Sequence, residues 1–282
     1  MTSTVALAQK QNGDIFFGSY ENGISILRNG TISNYYRDTG GKQFPCSYLF
    51  ITNDPVKGDL LWSYKNSGWL HPLQDRSGKG IPLPPVIPGL NLTNRVAVAN
   101  GRLLISTNSG LLEVKDGKPV RLKIDGLPEA PLFKIFPTRD GSLLIGSEGV
   151  IYRIKEDRVT DIYRVKTNTV SREVNELIED REGNIWFSLV NSGLYMMDRK
   201  TGAEIDLATR TGLKTTSITA MTEDREGNIW VATYGKGVFC FHDLYISTFD
   251  EFDGLSSNLI NSVMITGKGE LIAGTTDGVN VL

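Results

Sequence analysis

The octapeptide EDREGNIW occupies residues 179–186 and returns unchanged at 223–230. Identity over eight residues at a spacing of 44 is a repeat and not an accident. Weaker copies align on the turn glycine, giving Gly13, Gly58, Gly101, Gly141, Gly183, Gly227 and Gly269, with successive spacings of 45, 43, 40, 42, 44 and 42 residues. A second glycine follows each of these after 8 to 10 residues, at Gly23, Gly68, Gly110, Gly149, Gly193, Gly237 and Gly278. A period of about 40–45 residues carrying short strands is the propeller period.

Within the sixth copy an alternating apolar run (ITAMT, from Ile218) precedes the first glycine turn, and NIWVAT follows it. VFCF comes after the second glycine, and the more polar YISTF ends the unit. Period-two alternation bounded by glycine turns reads as antiparallel hairpins. The expectation is an all-β, seven-bladed propeller of four-stranded antiparallel blades forming a single domain over residues 1–282. Blade boundaries fall near 4–46, 47–93, 94–131, 132–173, 174–216, 217–259 and 260–282. The last unit reads as lacking its outer strand, so the chain is expected to be a fragment whose continuation completes that blade. Pro82, Pro84, Pro85 and Pro88 demote residues 80–90 to an edge strand or surface loop, because proline cannot donate to a ladder.

The acidic residues of the octapeptide read first as turn chemistry. Asp180 and Asp224 can accept backbone N–H groups, and the following glycine supplies a positive φ. Trp186 and Trp230 read as packing between blades. With 30 basic and 32 acidic residues the net charge is -2, and without a basic cluster nucleic acid is not an expected partner. No apolar run reaches the roughly 20 residues of a membrane helix, and the N-terminus has no secretory pattern. Cys46 and Cys240 fall in different repeats, so neither a disulfide nor a CxxC site is expected.

The stretches EDREGNIWFSLVNSGLYMMD and EDREGNIWVATYGKGVFCFH, with GLSSN at 254–258 leading into the last repeat, resemble the two component regulator propeller repeat. That family's repeats build paired propellers outside the inner membrane, ahead of a membrane helix and a histidine kinase. Many of its members sense oligosaccharides. The resemblance implies a periplasmic ligand-sensing propeller of a hybrid two component receptor, with an oligosaccharide ligand. Its partners would be the remainder of the receptor and a homodimer mate, without cofactor or metal. No kinase portion is present in this chain.

In a propeller the loops between second and third strands share one end with the connections between blades. The candidate binding residues at that end are Tyr20, Asn22, Tyr64, Asn66, Arg95, Glu148, Arg172, Asn191, Tyr234, Lys236 and Asp277. Aromatic faces with amide groups suit sugar rings, which offer C–H faces and hydroxyls. Asparagine before glycine is also plain turn chemistry, and that reading is preferred for the asparagines. Two other classes compete with the sensor. The GNIW-type repeats also resemble virginiamycin B lyases, which use a histidine and glutamate cluster with magnesium. Here His71 and His242 each fall at the end of a third strand, without a histidine neighbour, so no catalytic residue is assigned. A protein-docking scaffold in the manner of WD-repeat propellers is the third reading.

Overall fold

The computed structural model describes residues 4–19, 23–36, 48–54, 58–65, 69–72, 81–82, 96–116, 118–242 and 245–282. Its elements are almost all strands in up-and-down order. The first sheet holds β1 (Thr4–Gln9), β2 (Ile15–Ser19), β3 (Gly23–Arg28) and β4 (Thr31–Tyr36). The second holds β5 (Tyr48–Asp54), β6 (Gly58–Lys65), β7 (Trp69–Pro72) and β8 (Ile81–Pro82). β9 (Val96–Ala99), β10 (Arg102–Thr107), β11 (Gly110–Lys115) and β12 (Lys118–Leu122) make the third. The fourth is β13 (Lys134–Pro137), β14 (Leu143–Gly146), β15 (Val150–Lys155) and β16 (Arg158–Arg164).

The fifth sheet is β17 (Val174–Glu179), β18 (Ile185–Leu189), β19 (Gly193–Met197) and β20 (Glu204–Asp206), followed by the short helix α1 (Leu207–Thr211). The sixth is β21 (Ile218–Glu223), β22 (Ile229–Thr233), β23 (Val238–His242) and β24 (Tyr245–Phe249), followed by a 3-10 turn at Glu251–Asp253. The final sheet has three strands, β25 (Ile260–Ile265), β26 (Leu271–Thr275) and β27 (Val279–Val281). Every pairing is antiparallel between chain neighbours, as glycine-bounded hairpins require.

The expected count of seven blades is therefore corrected to six. Among the described residues six sheets carry the four strands of a complete blade, and the last three strands form a smaller sheet. The physical reason lies in what the glycine register measures. It marks the hairpin turns between first and second strands and the loops between second and third strands, so a three-stranded sheet registers like a complete blade. The proline-rich stretch contributes one edge strand, β8, of two residues, and residues 83–95 lie outside the described residues.

The chain divides into two compact units, one of residues 1–85 with 224–282 and one of residues 86–223. In the first unit, β2 is buried along its whole length, and its alternation sorts side chains to two neighbours. Phe16 joins Ala6, Ala8, Ile24, Ile26 and Leu49 of the second sheet. Ile15 and Phe17 face the other way and meet Ile272, Met264 and Val279 of the three-stranded sheet. In the second unit, Leu104 and Leu111 share a core with Ile135 and Ile145, and Leu144 and Ile151 share one with Leu177 and Phe187. Second strands are thus apolar on both faces because each faces a neighbouring sheet on either side. That explains why they read as continuous apolar runs.

The octapeptide makes the same turn in both copies. Asp180 Oδ1 accepts the N–H groups of Glu182 and Asn184 at 3.0 and 2.8 Å, and Gly183 has φ +85°. Its Oδ2 accepts Asn184 Nδ2 at 2.9 Å and the indole N–H of Trp186 at 2.8 Å. Asp224 repeats this, accepting Asn228 N, Asn228 Nδ2 and Trp230 Nε1 at 2.8, 2.7 and 2.7 Å. Burial works against the Asp224 charge, but the donors from Trp230, Asn228 and Gly227 outweigh it and hold the carboxyl below the usual range. The tryptophan of the repeat is bolted to its own turn.

Candidate functional site

In the described blades one end, the turn end, carries the turns between first and second strands, the two octapeptide turns among them, and the other, the loop end, carries the second-to-third-strand loops and the inter-blade connectors. At the loop end a common clasp recurs. In the second unit the connector residues Arg172 and Glu173 lie between two loops. Gly149 N donates to Arg172 O at 2.7 Å, and Val190 N donates to Glu173 O at 3.1 Å. In the first unit Asn258 and Leu259 stand in the same place. Gly235 N donates to Asn258 O at 3.0 Å, and Thr276 N donates to Leu259 O at 3.0 Å. These bonds tie each connector to the loops on either side of it.

Six of the expected site residues gather around these two clasps, three at each. Glu148, Arg172 and Asn191 surround the first, and Glu148 forms an antiparallel bridge with Glu173. The Arg172 guanidinium lies across Gly149 and donates to Val165 O, so it stitches its own connector. Asn191 has φ +52°, the left-handed conformation that asparagine tolerates in turns. Tyr234, Lys236 and Asp277 surround the second clasp, where Tyr234 bridges Leu259 and is 56% exposed. Lys236 N and Asp277 N are held by the hydroxyls of Thr233 and Thr275 at 3.0 and 3.1 Å. Their loops are thereby fixed while the side chains reach solvent. Tyr64 closes β6 opposite Tyr48, whereas Tyr20, Asn22, Asn66 and Arg95 lie outside the described residues.

The neighbouring connector presents a further aromatic. Phe252 is 98% exposed on the 3-10 turn, whose capping box joins Asp250 and Asp253. Glu251 and Asn258 exchange bonds of 3.0 and 2.9 Å that pin the turn to the clasp. His242 is at the opposite, turn end of its blade, with Nδ1 against Asn228 Oδ1. Cys240 is buried, and burial, reinforced by the Asp224 charge, pushes its thiol up to about 11.

At the turn end the structure shows a cleft that sequence reading missed. It lies between the fourth and fifth blades, within the second unit, and has a volume of about 570 Å³, inside the usual range for ligand pockets of about 300–1,000 Å³. Its walls carry four arginines and five carboxylates. Arg153 and Glu179 pair on its floor, at 15% and 12% side-chain exposure. Burial opposes the Arg153 charge, but Glu179 and Tyr163 hold it more basic than usual. Asp140 is held down to about 2 by the Thr138 hydroxyl and by the Ser142 amide and hydroxyl. Beside the cleft, Glu223 accepts Arg139 Nη2 at 2.7 Å and Arg181 Nε at 2.8 Å. A signal for this network was present in the sequence: the glutamate that opens each octapeptide meets an arginine in both copies.

Residues 212–235 match the two component regulator propeller family. They span the connector into β21, β21 itself, the octapeptide turn and β22. No curated protein matches the sequence. The fold is similar to the extracellular domain of a protein assigned as a hybrid two component system from B. thetaiotaomicron (TM-score 0.73, 16% identity, 99% of this chain and 38% of that one). It is equally similar to virginiamycin B lyase from Staphylococcus aureus (TM-score 0.73, 16% identity, 99% and 94%). The WD40 propeller domain of Doa1 also resembles it (TM-score 0.66, 16% identity, 99% and 92%). At these identities the likeness establishes the all-β propeller fold. The chain spans about 38% of the length of the two component extracellular domain it resembles. No helix among the described residues is long and apolar enough to cross a membrane.

Proposed function

From the two component regulator propeller repeat at 212–235, we infer that this propeller is the extracytoplasmic ligand-sensing part of a hybrid two component receptor. The repeat is the observation that carries the reading. The fold it shares with the extracellular domain from B. thetaiotaomicron is consistent with it. The ligand is an oligosaccharide, engaged at the loop end by Tyr234, Lys236 and Asp277, with Glu148, Arg172 and Asn191 as the equivalent set in the other unit. Tyr20, Asn22, Tyr64, Asn66 and Arg95 are proposed as further contacts from their places in the repeat. An exposed tyrosine ring stacks on the C–H face of a sugar, while an ammonium and a carboxylate bracket its hydroxyls. Clasped loops lose little freedom on binding, which favours affinity. The chain binds and does not catalyse. His242, the proton carrier a lyase would want, sits against Asn228 at the other end of its blade from Tyr234.

Signalling follows if the ligand binds two arrangements of the receptor with different affinity, and it shifts their balance by that difference alone. Titration calorimetry of this chain against a panel of plant and host oligosaccharides tests the reading. One glycan should bind saturably and be lost in Tyr234→Ala, with the melting temperature unchanged. Binding to no glycan, or binding that Tyr234→Ala and Lys236→Ala leave intact, overturns the site.

A further inference from the structure

The geometry points to a second binding site in the turn-end cleft, one that takes a small zwitterion such as a free amino acid or short peptide, carboxylate to Arg199 and ammonium to Asp161. Most of the charge in the cleft is already spent. Arg153 is paired with Glu179, Arg139 and Arg181 with Glu223, Asp140 is held by Thr138 and Ser142, Asp198 by the amide and hydroxyl of Thr201, and Asp180 is saturated by its own turn. Two lining groups on neighbouring blades are left without a partner of opposite charge or a turn that holds them. Arg199 follows β19, and among the described residues no carboxylate lies within 4.0 Å of its guanidinium. Asp161 lies on β16 and accepts only the Thr160 hydroxyl, at 3.0 Å, with no cation within 4.0 Å.

The Arg199 side chain is seated and not loose. It lies across Gly183, where a Cβ would come within 2.6 Å of both Cδ and Nη1. The glycine of the octapeptide therefore makes room for the guanidinium as well as turning the chain. On the other wall Asp161 stands opposite Arg153 in the β15–β16 ladder, and Tyr163 accepts Arg153 Nε at 3.4 Å, leaving its own hydroxyl proton to donate.

The charges select the ligand class. A neutral polyol covering this cleft would take two unpaired charges out of water without a counter-charge, which is costly. An anion would leave Asp161 uncovered, and a cation would leave Arg199. Only a molecule bearing both signs pairs both, through charge-assisted hydrogen bonds that are shorter and stronger than neutral ones. This inference is independent of the loop-end reading, because it involves neither Tyr234 nor Lys236.

Calorimetric titration of the purified chain with glycine, L-alanine, glycylglycine and trialanine tests it. At least one should bind saturably, and the N-acetylated, C-amidated form of the best ligand should not. Arg199→Ala and Asp161→Asn should each weaken binding by about tenfold or more, with the circular dichroism of the folded chain retained. Tyr234→Ala should leave the affinity unchanged. Gly183→Ala, which evicts the guanidinium, should behave like Arg199→Ala. Equal binding of the blocked peptide, or maltose binding that Arg199→Ala abolishes, overturns the assignment. So does the absence of saturable binding by all four zwitterions at millimolar concentration.

Discussion

The backbone N–H of Gly267 donates to Oε1 of Gln9 at 2.9 Å, joining residues 258 positions apart in the chain. The bond repeats one made between the fifth and sixth blades, where Arg181 N donates to Glu223 Oε1 at 3.1 Å. In each case a turn amide is accepted by the side chain that ends the first strand of the next sheet. The three-stranded sheet is thus fastened to the first sheet by the repeat's own inter-blade bond.

Removing that acceptor should be measurable. Gln9→Ala is expected to lower the unfolding free energy by about 1 kcal/mol, the net worth of a typical hydrogen bond. Gln9→Glu, which restores the group found at Glu223, should recover it. Urea unfolding followed by tryptophan fluorescence decides this, and an unchanged midpoint in Gln9→Ala would remove the bond from the account.

Glu223 is the busier of the two acceptors. It takes two guanidinium groups and one backbone amide, with its side chain only 7% exposed. Its arginine partners are 62% and 42% exposed, so they can return to water when it is removed. Glu223→Ala should therefore cost about 1–2 kcal/mol and not the 3–5 of a fully buried pair. High salt should shrink that difference only slightly, since the carboxylate itself is buried.

Acid should loosen the turn ends first. Asp140 is held to about 2 against an ordinary 3.8, chiefly by the Thr138 hydroxyl, and Asp224 is also depressed. A folded value below the unfolded one gives stability that is complete above about pH 4 and lost as pH falls through the folded value. Unfolding free energy should accordingly fall between pH 4 and pH 2. Asp224→Asn should be less stable at pH 7 and show a shallower fall in that window, as read from urea midpoints across pH.

The second glycine of the repeat does more than turn the chain. At Gly237, φ is +71° and a Cβ would sit 2.0 Å from the carbonyl oxygen of Phe249. At Gly202, φ is +66° with open space around it. Gly237→Ala is expected to cost about 3 kcal/mol or more, through backbone strain and a clash that only main-chain movement relieves. Gly202→Ala should cost about 1–2 kcal/mol from the left-handed conformation alone. Thermal melts of the two variants separate the effects.

Much of the architecture was legible because it is local. The octapeptide fixes a turn through Asp180 or Asp224, a positive-φ glycine and the apolar run after it, and all of these lie within a few residues of each other. The turn reading of Asn191 and the strand ends at Tyr245–Phe249 follow from the same short-range chemistry. The number of blades did not follow, because glycine spacing records turns and loops and counts a three-stranded sheet like a four-stranded one. The clasp around Arg172 and Glu173 was hidden for a related reason. Its bonds are backbone to backbone, and no side chain advertises them.

The sequence by itself determined the repeat, the strand order within each sheet and the end of the blade at which each loop emerges, since these depend on alternation and turn residues. Tertiary structure alone decided which charges remain unpaired. Arg139, Arg153, Arg181 and Arg199 look alike in the chain, yet three meet glutamates and the fourth lies over Gly183. Pairing depends on distances of a few ångströms between residues far apart in sequence, and periodicity does not encode those distances.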